Sequence, residues 1–327
     1  MWQTKLQLRN TSWGDLTNVV LVAALLTGCL AAGSMAQEKD QKTFSSAAEA
    51  SQALVKALQS DDEKAILDVL GQDAKQIVSS GDDVEDKQNR AEFIKSYQEM
   101  HRLVKEPDGT TTLYIGAKNW PTPIPLVNNG NSWYFDTPAG KQEILFRRIG
   151  QNEISAIHVC QELAAAQKEY YSTQHNEYAQ KIISDDRGPN GLYWKAADGA
   201  PQSPIGPLVA MAVAEGYAKS PNGAPTPYRG YYFRVLMAQG KNGSGGAKSY
   251  IVNGKMTEGF AFVAYPAEYK SSGVMTFLVG ADGVVYEKDL GKKTDVVAKS
   301  MKEYNPNSGW RKTEEQQAET ASQQNPK

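Results

Sequence analysis

A chain of 327 residues, 40% of them hydrophobic and 22% charged, is long enough for two ordinary domains with separate cores. Lys and Arg total 35 against 37 Asp and Glu, so there is no basic excess to neutralise phosphates and no electrostatic basis for nucleic-acid binding. No interior apolar run approaches the length of a bilayer span, so nothing marks a channel or a transporter.

At the N-terminus Lys5 and Arg9 precede an apolar run over residues 19–26, and small residues follow. That is the layout of a signal peptide, with Asp15 as the one departure from it. The run is too short to remain as a spanning helix. Two cleavage chemistries fit. Leu26-Thr27-Gly28-Cys29 has the form of a bacterial lipobox, which would leave Cys29 lipidated at the new N-terminus; Ser34-Met35-Ala36 has the small-x-small form of an ordinary site, cut after Ala36. The lipobox is favoured because Cys29 stands directly at the end of the apolar run, and Leu30 after it favours the outer membrane. Residues 1–36 are therefore read as a signal peptide and the mature protein as exported to the periplasm, lipid-anchored at the outer membrane. Cys160 is the only other cysteine, so no intramolecular disulfide is expected, and Cys160 reads as a small buried hydrophobe on a helix.

Ser46-Ala47-Ala48-Glu49 is a capping box, and Ala47, Ala50, Leu54 and Leu58 follow at helical spacing, with Phe44 over the entry. Asp61 or Asp62 caps a second helix carrying Ile66, Val69 and Leu70 and stopped by Gly71. A third helix is expected over about 86–104, with Asp86 as its N-cap and Phe93, Ile94, Tyr97 and Met100 on one face. Strand chemistry follows at 111–115, and the stretches 124–127 and 132–135 form a hairpin around Asn129-Gly130. Pro121, Pro123 and Pro125 keep the incoming segment extended or at an edge. Short helices followed by a curved antiparallel sheet ending in Trp133-Tyr134-Phe135-Asp136 resemble the cone-shaped nuclear-transport-factor-2-like (NTF2-like) fold over 43–148.

A long helix over about 151–171, carrying Ile154, Ile157, Leu163, Ala164 and Tyr171 along one stripe, should join the halves. Loop-rich chain at 184–207 precedes a short helix near 208–218 and strands at 231–236, 249–252, 259–265, 274–279 and 284–287. Helix, irregular loop and meander over 149–311 resemble the globular part of type IV pilins and pseudopilins, although the pilin export signal is absent. The fold class expected is α+β in two domains. The Gln/Glu/Ser-rich stretch 312–327 is expected to be a disordered tail.

Polar clusters point to no reaction. His101, His158 and His175 are far apart, and no HxH, HExxH or CxxC spacing exists, so no metal site or cofactor is expected. His158 and Cys160 stand about 200° apart around a helix and cannot form a local dyad. The acidic loop 184–191 lacks the twelfth-position Glu of a calcium loop, since counting from Asp185 or Asp186 reaches Ala196 or Ala197. Asp82 to Asp86 reads as a solvated turn with a helix cap, and Gly240 to Gly246 as a flexible loop without a phosphate-binding pattern. The hairpin around Asp282-Gly283 leaves Glu287 and Asp289 on one strand face, expected to meet water. Glu143, Arg147, Arg148, Asn152 and Glu153 are read as an ion-pair network at the domain junction.

Trp120-Pro121, Trp133-Tyr134-Phe135-Asp136, Arg148-Ile149-Gly150, Gly191-Leu192-Tyr193-Trp194, Gly206-Pro207-Leu208, Gly230-Tyr231-Tyr232 and Gly273-Val274-Met275-Thr276-Phe277 together resemble a bacterial exported family, domain of unknown function 2950, over about 44–310. Gln151 departs from it, standing where a basic residue is expected. The resemblance implies no activity, substrate or catalytic residue. The leading reading is a non-enzymatic envelope protein that binds another envelope protein or a polymer, with Trp120, Tyr231 and Tyr232 as surface contacts. The alternative is an NTF2-like pocket for a small apolar ligand, lined by Trp133, Tyr114, Tyr97 and His101. An enzyme with catalytic residues scattered along the chain is the third. Contact with a membrane is expected only through Cys29.

Overall fold

The computed structural model describes residues 41–173, 176–185, 188, 190–196, 202–214, 217 and 225–313. The segment expected to be a signal peptide, with Cys29, as well as His175, residues 186, 187 and 189 of the acidic loop and the stretch beyond residue 313, lie outside the described residues.

Helix α1 (Ala47–Ser60) starts where its capping box places it: the Ser46 hydroxyl accepts from the Glu49 amide at 3.1 Å. The Glu49 carboxylate reaches back to the amide and hydroxyl of Ser45, one residue before the usual partner. Helix α2 (Glu63–Leu70) is capped by Asp62 and leaves through Gly71 in the left-handed region. After the single turn α3 (Lys75–Val78) comes α4 (Asp83–Glu99). Its N-cap is Asp82, not Asp86, and it ends before His101 instead of reaching residue 104. Residues 101–105 form strand β1 (His101–Lys105), paired antiparallel with β2 (Thr111–Ile115) around a turn in which Gly109 supplies positive φ. Cross-strand pairing thus overrides a weak helical preference.

Strands β3 (Trp120–Pro121), β4 (Leu126–Asn128) and β5 (Trp133–Phe135) complete an antiparallel sheet in the order β1-β2-β4-β5, with β3 also on β2. Ile66, Leu113, Leu126 and Phe135 are the fully or nearly fully buried centre of this half.

Helix α5 (Thr137–Thr173) begins at Thr137 instead of residue 151. The Thr137 hydroxyl donates to the Leu70 carbonyl, Pro138 occupies the first turn, where its missing amide is no loss, and Gly140 lies against the backbone of Pro123 and Ile124, where any Cβ would collide. Its first turns pack Ile144 on the N-terminal core, and its later turns bury Ala156, Ile157, Cys160, Leu163 and Tyr170 in a second, larger core. The helix therefore runs through the boundary expected near residue 148 and belongs to both halves.

The second half holds α6 (Gly206–Ala214) and strands β6 (Tyr231–Leu236), β7 (Ala238–Gln239), β8 (Lys248–Ser249), β9 (Ile251–Val252), β10 (Lys255–Met256), β11 (Ala261–Pro266), β12 (Met275–Gly280) and β13 (Val285–Asp289). Helix α7 (Thr294–Ser300), β14 (Glu303–Tyr304) and β15 (Arg311–Lys312) follow. An antiparallel sheet in the order β15-β13-β12-β11-β6 has α5 on one face and α7 with β14 on the other. The α+β class is thus the observed one.

The 275–289 hairpin forms with Phe277 opposite Glu287. Glu287 does not face water. Strand β15 adds to the outside of β13, and Arg311 Nε donates to the buried Glu287 carboxylate at 2.7 Å. Lys312, where the tail was drawn, pairs with Tyr286. The 240–246 loop is also held: Gln239 Nε2 donates to the Ser244 and Gly246 carbonyls, each at 2.7 Å.

Candidate functional site

A dense polar cluster lies where the two halves meet. Asp82, as the cap of α4, accepts the Glu85 amide on one oxygen. Its other oxygen accepts the Tyr217 hydroxyl at 3.0 Å and the Gly230 amide at 2.8 Å, both from the second half. Gly230 has φ +74, and a Cβ there would press on the Asn152 side chain and on Ser272. Asn152, from α5, donates to Glu85 Oε2 at 3.2 Å and to the Ser272 carbonyl at 3.1 Å. Arg148, one turn earlier, donates to the carbonyls of Gln76 and Ile77, and Ser271 donates to Gln76 as well.

Burial pushes the Glu85 carboxyl up to about 7, opposed by the nearby Arg148 and reinforced by Asp82. Burial also raises Asp86, against the hydrogen bond from the Ser80 amide, and one Asp86 oxygen has no partner. Tyr217 is raised by burial and by Asp82. The run from Asp82 to Asp86 is therefore not a solvated turn: Asp82 and Asp86 are buried. The network expected from Glu143 to Glu153 is divided. Arg147 pairs with Glu143 at the surface, Arg148 and Asn152 sit in the junction, and Glu153 accepts the Val274 and Met275 amides.

Raised carboxyls are what acid–base catalysis uses, but here the donors around them are the chain's own backbone and side chains, and the cluster serves as a tie between halves. Among the described residues no group of three or more His, Cys, Asp and Glu is placed to hold a metal ion. Cys160 is fully buried and burial pushes its thiol far up, so it has no nucleophilic thiolate.

The aromatic residues singled out from the sequence are mostly occupied. Tyr231 is fully buried, its ring beside Phe277 and its hydroxyl donating to the Met275 carbonyl, so it is no surface contact. Tyr232 stays half-buried against Tyr265. Trp120 is half-buried under the Arg147 guanidinium. Tyr97 is buried, stacks on exposed His101 with ring centroids 3.8 Å apart, and meets the Ser51 hydroxyl. Tyr114 lies under Arg102 and donates to Glu106. Trp133 exchanges backbone hydrogen bonds with Phe44 at the edge of the core. None of these residues lines the small cavity beside this sheet, between Gln41, Leu70 and Phe135, which holds about 20 Å³.

An open groove of about 410 Å³ lies instead on the second half, on the α7 face of its larger sheet. Arg234, on β6, donates to the carbonyls of Ala298 and Met301 and so fixes the C-terminal end of α7, where a cation complements the helix dipole. Strand β14 pairs parallel with β7, and Asn305 Oδ1 accepts from the amide and side chain of Asn242. Between these fixed points Leu278 forms the floor, and Met301, Lys302, Glu303, Asn305 and Trp310 form the walls. None of the wall residues was singled out from the sequence. The available signal was weak: Trp310 is a single large aromatic after the turn-forming stretch Asn305-Pro306-Asn307-Ser308-Gly309.

A family model described as "Protein of unknown function (DUF2950)" matches residues 41–313. No curated protein and no solved structure gives a match.

Proposed function

The chain belongs to the DUF2950 family, whose description assigns no activity, and from that premise we propose a non-enzymatic binding role in the cell envelope. The observation that carries the reading is the groove floored by Leu278, with Trp310 and Met301 beside the charged Lys302 and Glu303. The groove is open and mixed in character, with Ser300, Lys302, Glu303 and Asn305 beside the apolar Leu278, Met301 and Trp310, and its volume of about 410 Å³ falls within the range of ligand clefts.

The location follows from the signal-peptide layout of residues 1–36 and from Cys29, which would anchor the mature chain at the outer membrane. The partner is an envelope protein or polymer. Site-specific photo-crosslinking in intact cells tests the role: a photo-reactive residue at position 302 should give a reproducible adduct, and one at exposed Lys56 on α1 should not. Identical patterns from both positions would remove the groove from the reading. Labelled palmitate tests the anchor, since Cys29→Ser should abolish incorporation.

No observation favours the apolar-ligand reading of the N-terminal sheet. Leu113, Leu126 and Phe135 fill its interior, and about 20 Å³ beside it accommodates a water molecule, not an organic ligand.

A further inference from the structure

We propose that the groove on the α7 face binds an uncharged glycan, taking a disaccharide-sized segment with one sugar ring stacked on Trp310; the inference rests on the binding role proposed above and names its ligand class. The floor decides against an extended peptide. Leu278 sits in mid-sheet, paired with Val263 on one side and Tyr286 on the other, so its backbone groups already belong to the ladder. Strand β14 at the wall is two residues long and pairs with β7, too short to template a peptide strand. What the groove offers is side chains.

Those side chains match the surface of a pyranose. Trp310 is half-buried and lines the groove, and an indole has a flat apolar face suited to the C–H face of a sugar ring together with a polar N–H. Lys302 supplies donors, Glu303 acceptors, and Asn305 the amide NH2 of a side chain whose Oδ1 accepts from Asn242, the complement that hydroxyl groups require. Lys302 and Glu303 are exposed and make no ion pair within the described residues. Their opposite charges stand side by side, so the wall carries no net field to select an anion. The site is preorganised: Arg234 holds Met301 from below, and Asn305 is pinned to the 240–246 loop.

The test is a titration of the full chain with an N-acetylglucosamine trisaccharide, with maltotriose and with an unstructured hexapeptide, followed by tryptophan fluorescence and saturation-transfer NMR. At least one trisaccharide should bind saturably at millimolar concentration or tighter, and the peptide should not. Trp310→Ala should weaken binding by about tenfold or more, and Trp310→Phe should restore part of it. Because Trp310 also packs on the core, the exposed pair Lys302→Ala with Glu303→Ala serves as a second variant, expected to weaken binding about threefold or more with an unchanged melting temperature. The proposal is overturned if neither saccharide binds, if binding is equal in wild type and both variants, or if the peptide binds in their place. A position-302 crosslink that persists without saccharide binding would refute the glycan and leave the binding role standing. Loss of both would end both.

Discussion

Glu85→Gln is expected to stabilise the protein in mildly alkaline buffer and to do little in acid. Glu85 sits where desolvation holds its carboxyl at about 7, against an ordinary value of 4.5. The folded chain therefore keeps a proton that the unfolded chain releases, so stability is greatest at low pH, falls as pH rises from about 4.5 to about 7, and is flat above that. The full span corresponds to about 3 kcal/mol lost at pH 8, an upper bound because the residue is not fully shielded from water. Glutamine cannot ionise, yet its amide oxygen still accepts the Asn152 side chain. The variant should gain about 1–3 kcal/mol at pH 8, or roughly 3–9 °C in melting temperature for a domain of this size. At pH 5 the two proteins should melt within about 2 °C of each other. The assay is calorimetry of both at the two pH values. An offset that is the same at pH 5 and pH 8, or a loss at pH 8, would refute the account of a carboxylate forced into the junction.

Three further outcomes follow from the same contacts. Asp82→Ala removes the acceptor for the Tyr217 hydroxyl and the Gly230 amide and should cost about 3 kcal/mol in urea unfolding, against about 1 kcal/mol for Tyr217→Phe. Gly230→Ala combines positive φ with a Cβ pressed on Asn152, so a loss of about 2 kcal/mol or more is expected in the same assay. Cys160 should resist an aromatic disulfide reagent in the native protein and react at once in denaturant, because its thiol is fully buried and its ionisation suppressed; rapid native labelling would contradict the packing of α5.

Much of the fold is legible locally. The capping box of α1, the Asp62 cap and Gly71 stop of α2, and the alternation of Phe277 and Val279 before the Asp282-Gly283 turn each depend on residues a few positions apart. The errors have one form. Residues 101–105 are compatible with continuing a helix, and the partner that makes them a strand is the 111–115 segment. The early turns of α5 contain Pro138, Gly140 and Gly150, which argue against a helix unless Gly140 is seen lying against the backbone at Pro123.

The same division runs through the site. Strand alternation puts Tyr231 and Tyr232 on opposite faces, yet both stand as surface candidates until the face that meets α5 takes Tyr231 wholly inside and leaves Tyr232 half-exposed. Asp82 and Glu287 have the sequence surroundings of wet acids until Gly230, Tyr217 and Arg311 arrive from distant positions. The groove likewise exists only because α7, β14 and the turn before β15 converge over Leu278. By itself the sequence determined the α+β class and the caps and turns of elements such as α1, α2 and the 275–289 hairpin, because these depend on short-range periodicity and local hydrogen bonding. The tertiary structure decided which carboxylates are buried, where the halves are tied and where a ligand could lie, because desolvation and long-range pairing depend on residues the chain brings together only by folding.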